Sequence, residues 1–236
     1  MEFLSRNDLI PLKIIQIDKT YREFFLKSVK ILNYSWDLMK KTNNASLIYA
    51  EGLSLLEGDG RDGAYQKGAD LLKEAADLGH AKAQYNLGIC LHEALGLKQS
   101  HEEAYRYFQL AADQGHSLAH YMLGCYFIFG LGCISSEKKA IHYFYLAAEA
   151  GVAEAQYNLG VILLEKSKQE AVHYFQLAAD QGNSHAQYNL GICYYHGLGV
   201  TISHEEAIRY LELALKQSHP KAAEVLGKVM MATLQT

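Results

Sequence analysis

Histidine is the side chain best supplied for chemistry here, with 11 copies in 236 residues. His116 and His120 stand four apart, the spacing that puts two imidazoles on one helix face, as a zinc site needs. A metalloprotease pair carries a glutamate directly after the first histidine, and Ser117 stands there instead. The slot of His116 is filled elsewhere by His80, Asn183 and His219, and that of His120 by Gln84, Gln156 and Gln187. Both therefore read as surface positions, and no metal ligand is assigned. A nucleophile is the second candidate. Ser135-Ser-Glu-Lys138 and Ser218-His-Pro-Lys221 match Ser-x-x-Lys, the nucleophile motif of penicillin-recognising enzymes. Both lie where helix starts favour serine in any case, so no catalytic residue is assigned. Glycine triplets at Gly58-Asp-Gly60, Gly130-Leu-Gly132 and Gly197-Leu-Gly199 raise a phosphate-binding loop. They lack the following Lys-Ser/Thr and the preceding strand that such a loop requires. Cys90, Cys125, Cys133 and Cys193 form no CxxC and no recurring pair, so reduced thiols are expected, and no cofactor is implied.

The elements that position these residues come from a repeat. Ala-Gln-Tyr-Asn-Leu-Gly occurs at 83–88, 155–160 and 186–191, with Ala-His-Tyr-Met-Leu-Gly at 119–124 and Ala-Ala-Glu-Val-Leu-Gly at 222–227. The steps are 36, 36, 31 and 36 residues, and one more step back from Gly88 reaches Gly52, with Tyr49 in phase. A second block, Glu-Glu-Ala-Tyr-Arg-Tyr-Phe-Gln-Leu-Ala-Ala-Asp-Gln-Gly at 102–115, recurs in the same register. Both blocks are helical in period: Ala83, Leu87, Leu91 and Ala94 share one face, as do Ala104, Phe108, Ala111 and Ala112. Ser100–Glu103, Ser167–Glu170 and Ser203–Glu206 read as capping boxes, with Ser136 in the same place. Gly79, Gly115, Gly151 and Gly182 stop the second helices, and Pro220 marks the first turn of a last one. Glycine inside a helix costs roughly 1 kcal/mol against alanine. Its recurrence at Gly52, Gly88, Gly124, Gly160, Gly191 and Gly227 implies a neighbouring helix too close for a side chain. The fourth full repeat lacks the glycine turn and runs Leu-Leu-Glu-Lys-Ser-Lys at 163–168, which shortens it by five residues.

Composition narrows the classes further. The net charge of −4 is spread evenly, without the basic stripe of a nucleic-acid binder. No run approaches the roughly 20 apolar residues of a membrane span. Charges at Glu2, Arg6 and Lys13 and the break at Pro11 argue against an N-terminal signal peptide. The chain is expected in the cytoplasm at synthesis, with secretion by a signal elsewhere left open, and a monomer is favoured.

A helix with A-x-Y-x-L-G, a Gly-x-Gly turn and A-x-x-Y-[FY]-x-x-A-A resembles the Sel-1-like repeat, a relative of the tetratricopeptide repeat, over about 45–233. The resemblance implies an all-α, right-handed superhelical solenoid of antiparallel helix pairs with a concave, ligand-facing side. It implies a bacterial scaffold or adaptor that binds a protein or peptide, in signalling or as an effector in host interaction. The expected organisation is an N-terminal helical segment, 1–43, capping a solenoid at 44–233 of five helix pairs plus a C-terminal helix. In the tetratricopeptide fold the first helix of each pair lines the groove. By that resemblance the groove residues are Tyr85, Asn86, His92, Tyr121, Met122, Phe129, Tyr157, Asn158, Tyr188, Asn189, Tyr195 and His196, with Cys125, Ile128, Val161 and Leu164 in phase. Tyrosines offer apolar area with a polar handle and asparagines bond a ligand backbone. The competing assignment packs the same tyrosines between repeats, with the asparagines bonding inside the protein. The runner-up function is β-lactam binding or hydrolysis, described for cysteine-rich relatives whose paired cysteines this chain lacks. A weaker third is binding of an envelope polysaccharide or lipid.

Overall fold

The computed structural model describes residues 44–57 and 63–234, and every regular element among them is a helix. Helix α1 covers 44–57. It is followed by α2 (Ala64–Asp77), α3 (Ala81–Glu93), α4 (His101–Ala112), α5 (Ser117–Phe129) and α6 (Glu137–Glu149). Then come α7 (Ala153–Leu163), α8 (Lys168–Asp180), α9 (Ser184–His196), α10 (His204–Lys216) and α11 (Ala222–Thr233). From α2 to α11, consecutive helices pack on one another, as a solenoid requires. The described helices make five successive pairs, α1–α2 to α9–α10, and a last helix, α11, while segment 1–43 and the turn Gly58–Gly60 lie outside the described residues.

Helix starts follow the predicted serines with one difference. Ser100, Ser136 and Ser203 accept from the backbone N–H of Glu103, Lys139 and Glu206 at 3.2, 3.4 and 3.2 Å, whereas Ser167 makes no side-chain cap. The carboxylate half of the capping box is replaced. The serine amides donate instead to Leu91, Phe127, Leu163 and Tyr194, carbonyls at the end of the preceding helix. The short turn carries those carbonyls to the amide, so no side chain is needed there. Helix ends match the glycine signal: Gly79, Gly115, Gly151 and Gly182 have φ between 81° and 90°. Ser218 takes the same place at φ 60°. Pro220 sits two residues ahead of α11, in the turn that His219 closes by accepting from the Ala222 amide.

The glycines inside the first helices receive the side chain of the following helix. A Cβ on Gly88 would lie 2.6 Å from Phe108, one on Gly124 2.5 Å from Phe144, and one on Gly160 2.7 Å from Phe175. At Gly191 the neighbour is Leu211, at 2.8 Å. Gly227 departs from the expectation, with nothing within 4 Å, because α11 has no following helix among the described residues to receive. Gly96, Gly132 and Gly199 close the seam between repeats, where a Cβ would run into the carbonyls of Tyr65, His101 and Lys168. The shortened repeat replaces this contact with an ion pair, Lys166 to Glu137 at 3.0 Å.

The glutamines of the motif, read from sequence as surface residues, are core. Gln84, Gln156 and Gln187 are each 4% exposed. Their Nε2 groups donate to the carbonyls of Ala76, Ala148 and Ala179 at 3.1–3.3 Å. Their Oε1 atoms accept from Gln114, Gln181 and Gln217 at 2.7–2.8 Å. A buried amide is stable only with such partners, and these bind each repeat to its neighbours. His120, in the same slot, bonds the Ala112 carbonyl, which stands in phase with those three.

Candidate ligand groove

The tyrosine ladder belongs to the joints between repeats. Tyr49, Tyr85 and Tyr188 stack on His80, His116 and His219 with ring centroids 4.7, 4.6 and 4.4 Å apart. Tyr157 leans on His185 at 5.6 Å. The Asn86 amide donates to the Tyr49 hydroxyl at 3.2 Å, and Tyr121 shares hydrogen bonds with Cys125 and Asn158. These rings are half-buried, and burial pushes the Tyr85 and Tyr121 hydroxyls above the usual range. The histidines are also not the free surface groups expected. His80 and His116 cap α3 and α5, Nδ1 accepting from the Ala83 and Ala119 amides at 3.2 and 3.3 Å. Burial, reinforced by Lys82, holds both imidazoles below their usual pKa and so neutral at pH 7.

One apolar cavity opens among the predicted groove positions. It has a volume of about 190 Å³ and is lined by Cys125, Ile128 and Phe129 of α5 and Asn158, Val161 and Ile162 of α7. Phe144 of α6 completes its lining. Phe129 is 70% exposed, and Ile128 and Val161 are exposed beside it. The cavity lies where a full-length repeat meets the shortened one, whose first helix ends at Leu163. The register position of Phe129, five residues after the motif glycine, holds Glu93, Glu165 and His196 in other repeats. An aromatic side chain is thus presented to solvent where its counterparts are polar. Burial raises the pKa of the Cys125 thiol, which leaves it a protonated, apolar part of the lining.

The remaining predicted residues fall into separate places. His92 bonds the hydroxyl of the fully buried Tyr126 at 2.9 Å, and its Nε2 lies 3.5 Å from Glu93. Met122 is partly buried in the core that holds Tyr126. Tyr195 contacts His196 and His204. Asn189 lines a second, more polar cavity of about 310 Å³ with Tyr157, His185, Tyr188, His219, Pro220 and Lys221. Phe144 was missed because the sequence argument gave the groove to first helices alone, although its packing against Gly124 places it directly beneath. The sequence candidates for a nucleophile stay on helix starts. Ser135 and Lys138 are both exposed, and the capping hydroxyl is that of Ser136. Cys90 and Cys193 share one core position with Tyr126 and Ile162, and burial pushes their thiols up to about 11. No group of three or more metal-ligating side chains gathers among the described residues.

Comparison with known proteins agrees with the register of these helices. The Sel1 repeat model matches at 47–80, 81–116, 117–152, 153–183 and 184–219. No curated protein matches the chain. Among solved structures, a protective antigen of uropathogenic Escherichia coli displaying an SLR fold is 27% identical with a TM-score of 0.75. That match covers 80% of this chain and only 42% of the antigen. A Sel1 repeat protein from Oxalobacter formigenes is 26% identical with a TM-score of 0.70, covering 78% of this chain and 76% of its own.

Proposed function

Because the chain belongs to the Sel1 repeat family, whose solenoids generally serve as non-enzymatic scaffolds for other proteins, we propose that it is an adaptor that holds a partner protein or peptide in the groove between α5 and α7. The observation that carries this reading is the apolar cavity rimmed by solvent-exposed Phe129. An aromatic ring held in water at a concave site gains by burial against a partner, and rings of this kind dominate interface energetics. Tyr49, Tyr85 and Tyr188 each have one face covered by a histidine in the turn before the next first helix.

The test is capture of binding proteins on the immobilised chain, comparing wild type with a Phe129→Ser/Val161→Ser variant. Both side chains are exposed, so circular dichroism should show the variant folded as wild type. A partner held by wild type and released by the variant supports the reading. A partner held equally by both moves the binding surface away from this groove.

A further inference from the structure

The joint between α9 and α11 departs from the others in what it places together. Six residues before each motif glycine stand Lys82, Leu118, Glu154, His185 and Lys221 in turn. Only the last step, from His185 to Lys221, puts two nitrogen bases at consecutive positions. Both line the cavity of about 310 Å³, together with Tyr157, Tyr188, Asn189 and His219. That volume reaches the range of small-molecule sites, which begins near 300 Å³. None of the lining residues is an acid, and each polar side chain there is of a type that donates hydrogen bonds. The Tyr188 hydroxyl is also without the asparagine that Tyr49 and Tyr121 have, because Val225 stands in that place. The surrounding acids are accounted for. Glu224, in the first turn of α11, lies near Lys221 and Lys228 and is bonded by Lys228 at 2.5 Å. Glu154 lies near Tyr121, one joint earlier. Lys221 has no ion pair among the described residues, and Lys228 lies near Tyr188.

The histidine of this joint is also released from the task its counterparts perform. His80 and His116 cap their helices through Nδ1, whereas the Ala222 amide bonds the His219 carbonyl instead. His219 is 8% exposed, its Nδ1 is buried without a partner, and its Nε2 lies 3.2 Å from Nδ1 of His185. Burial, with His185 and Lys221 adding to it, holds this imidazole below its usual pKa and neutral. One proton therefore sits on one of its two nitrogens. A proton on Nδ1 would leave a buried N–H with no acceptor, which is rarer in proteins than an under-satisfied acceptor. The proton thus belongs on Nε2 and is donated to His185. That bond fixes the His185 tautomer with its own N–H on Nε2, as a free donor on an exposed side chain at the cavity.

We propose that this joint is a binding site for a small organic acid, separate from the groove between α5 and α7. The carboxylate meets the Lys221 ammonium and the His185 Nε2–H, with the Asn189 amide and the Tyr188 hydroxyl as further donors. The body of the acid lies against the Tyr157 and Tyr188 rings. A bare metal ion would find a lysine and hydrogen-bond donors where it needs anionic ligands. His219 is a positioning residue, which acts through the tautomer of His185.

Titration of the full chain with benzoate, followed through the imidazole resonances of His185 and His219, tests this at pH 7.5. Benzoate is expected to shift both rings and to saturate below about 10 mM. Benzamide, its neutral counterpart, should bind at least about tenfold more weakly. Inorganic phosphate, an anion with no apolar body, should fail to displace benzoate at equal concentration. Lys221→Gln should weaken benzoate about threefold and His185→Phe about tenfold, while Lys138→Gln on α6 leaves it unchanged. Both site residues are exposed, so circular dichroism should show each variant folded as wild type. Equal binding of benzamide, displacement by phosphate, or benzoate binding indifferent to both site variants would overturn the proposal. So would the absence of any shift up to about 10 mM. None of these outcomes bears on the adaptor reading, which rests on a different cavity.

Discussion

The two sides of each first helix are treated differently along this chain. The side facing its own partner helix is filled the same way in repeat after repeat: a glycine receives Phe108, Phe144, Phe175 or Leu211. The buried glutamines Gln84, Gln156 and Gln187 tie each repeat to the one before through the carbonyls of Ala76, Ala148 and Ala179. The groove side has no such rule. Its register positions hold His92, Ile128, Leu164 and Tyr195 in one row and Glu93, Phe129, Glu165 and His196 in the next. What builds the solenoid recurs because each repeat must bury its face on the next. The row without such a burial rule is free to differ, and in one interval it has become apolar and hollow.

The sharpest way to break that comparison is to truncate a phenylalanine on each side. Phe108 is 0% exposed and Phe129 70% exposed. Phe108→Ala is expected to lower stability by about 3–5 kcal/mol, whereas Phe129→Ala should stay within about 0.5 kcal/mol in chemical denaturation. Equal losses would show that Phe129 belongs to the core. Two glycines give the next contrast. Gly124→Ala pushes a methyl into Phe144 and should lose about 1–3 kcal/mol despite alanine's better helix propensity. Gly227→Ala meets open space and should gain up to about 1 kcal/mol. A comparable gain, about 1 kcal/mol in the same assay, is expected of Ala94→Gly. Ala94 holds φ 60° where Gly130 and Gly197 stand in neighbouring turns.

The joints also have a pH dependence. His80 and His116 cap their helices as neutral rings with pKa values held below 6.5. Above that value both folded and unfolded chains are unprotonated there, and stability is at its full level. As pH falls below about 6.5 the unfolded chain takes up protons first, so the caps lose their contribution on acidification. Thermal melts between pH 7.5 and 5.5 should fall less steeply for His80→Asn/His116→Asn than for wild type. Asn183 already caps α9 this way, accepting from the Ala186 amide at 2.9 Å. Parallel pH curves would place the sensitivity elsewhere.

Most of the fold was legible because repetition makes each local signal testable against its copies. Serines before second helices, glycines after them and the notch glycines within first helices sit where their register required, except that Ser167 makes no side-chain cap and Gly227 receives no neighbour. The side-chain environments were less legible. Gln84, Gln156 and Gln187 read as surface because amides usually are, and only their bonds to the carbonyls of Ala76, Ala148 and Ala179 and to Gln114, Gln181 and Gln217 explain their burial. His116 looked solvated for the same reason, while its ring is spent on a cap and a stack. For the candidate site, sequence put Phe129 and Asn158, which line the cavity, in one set with Tyr85 and Tyr157, which contact histidines. That distinction depends on which rings the next repeat's histidine covers. Phe144 was out of reach, since its part in the cavity follows from a neighbour leaving it open.

The most direct test of the central claim is site-specific photocrosslinking. A benzophenone amino acid replaces either Phe129, on the groove, or Tyr145, an exposed side chain of the second helix α6. The account predicts that a partner captured by the chain crosslinks from position 129 and fails to crosslink from position 145. Crosslinking from 145 alone would place the partner on the second-helix surface and contradict the account.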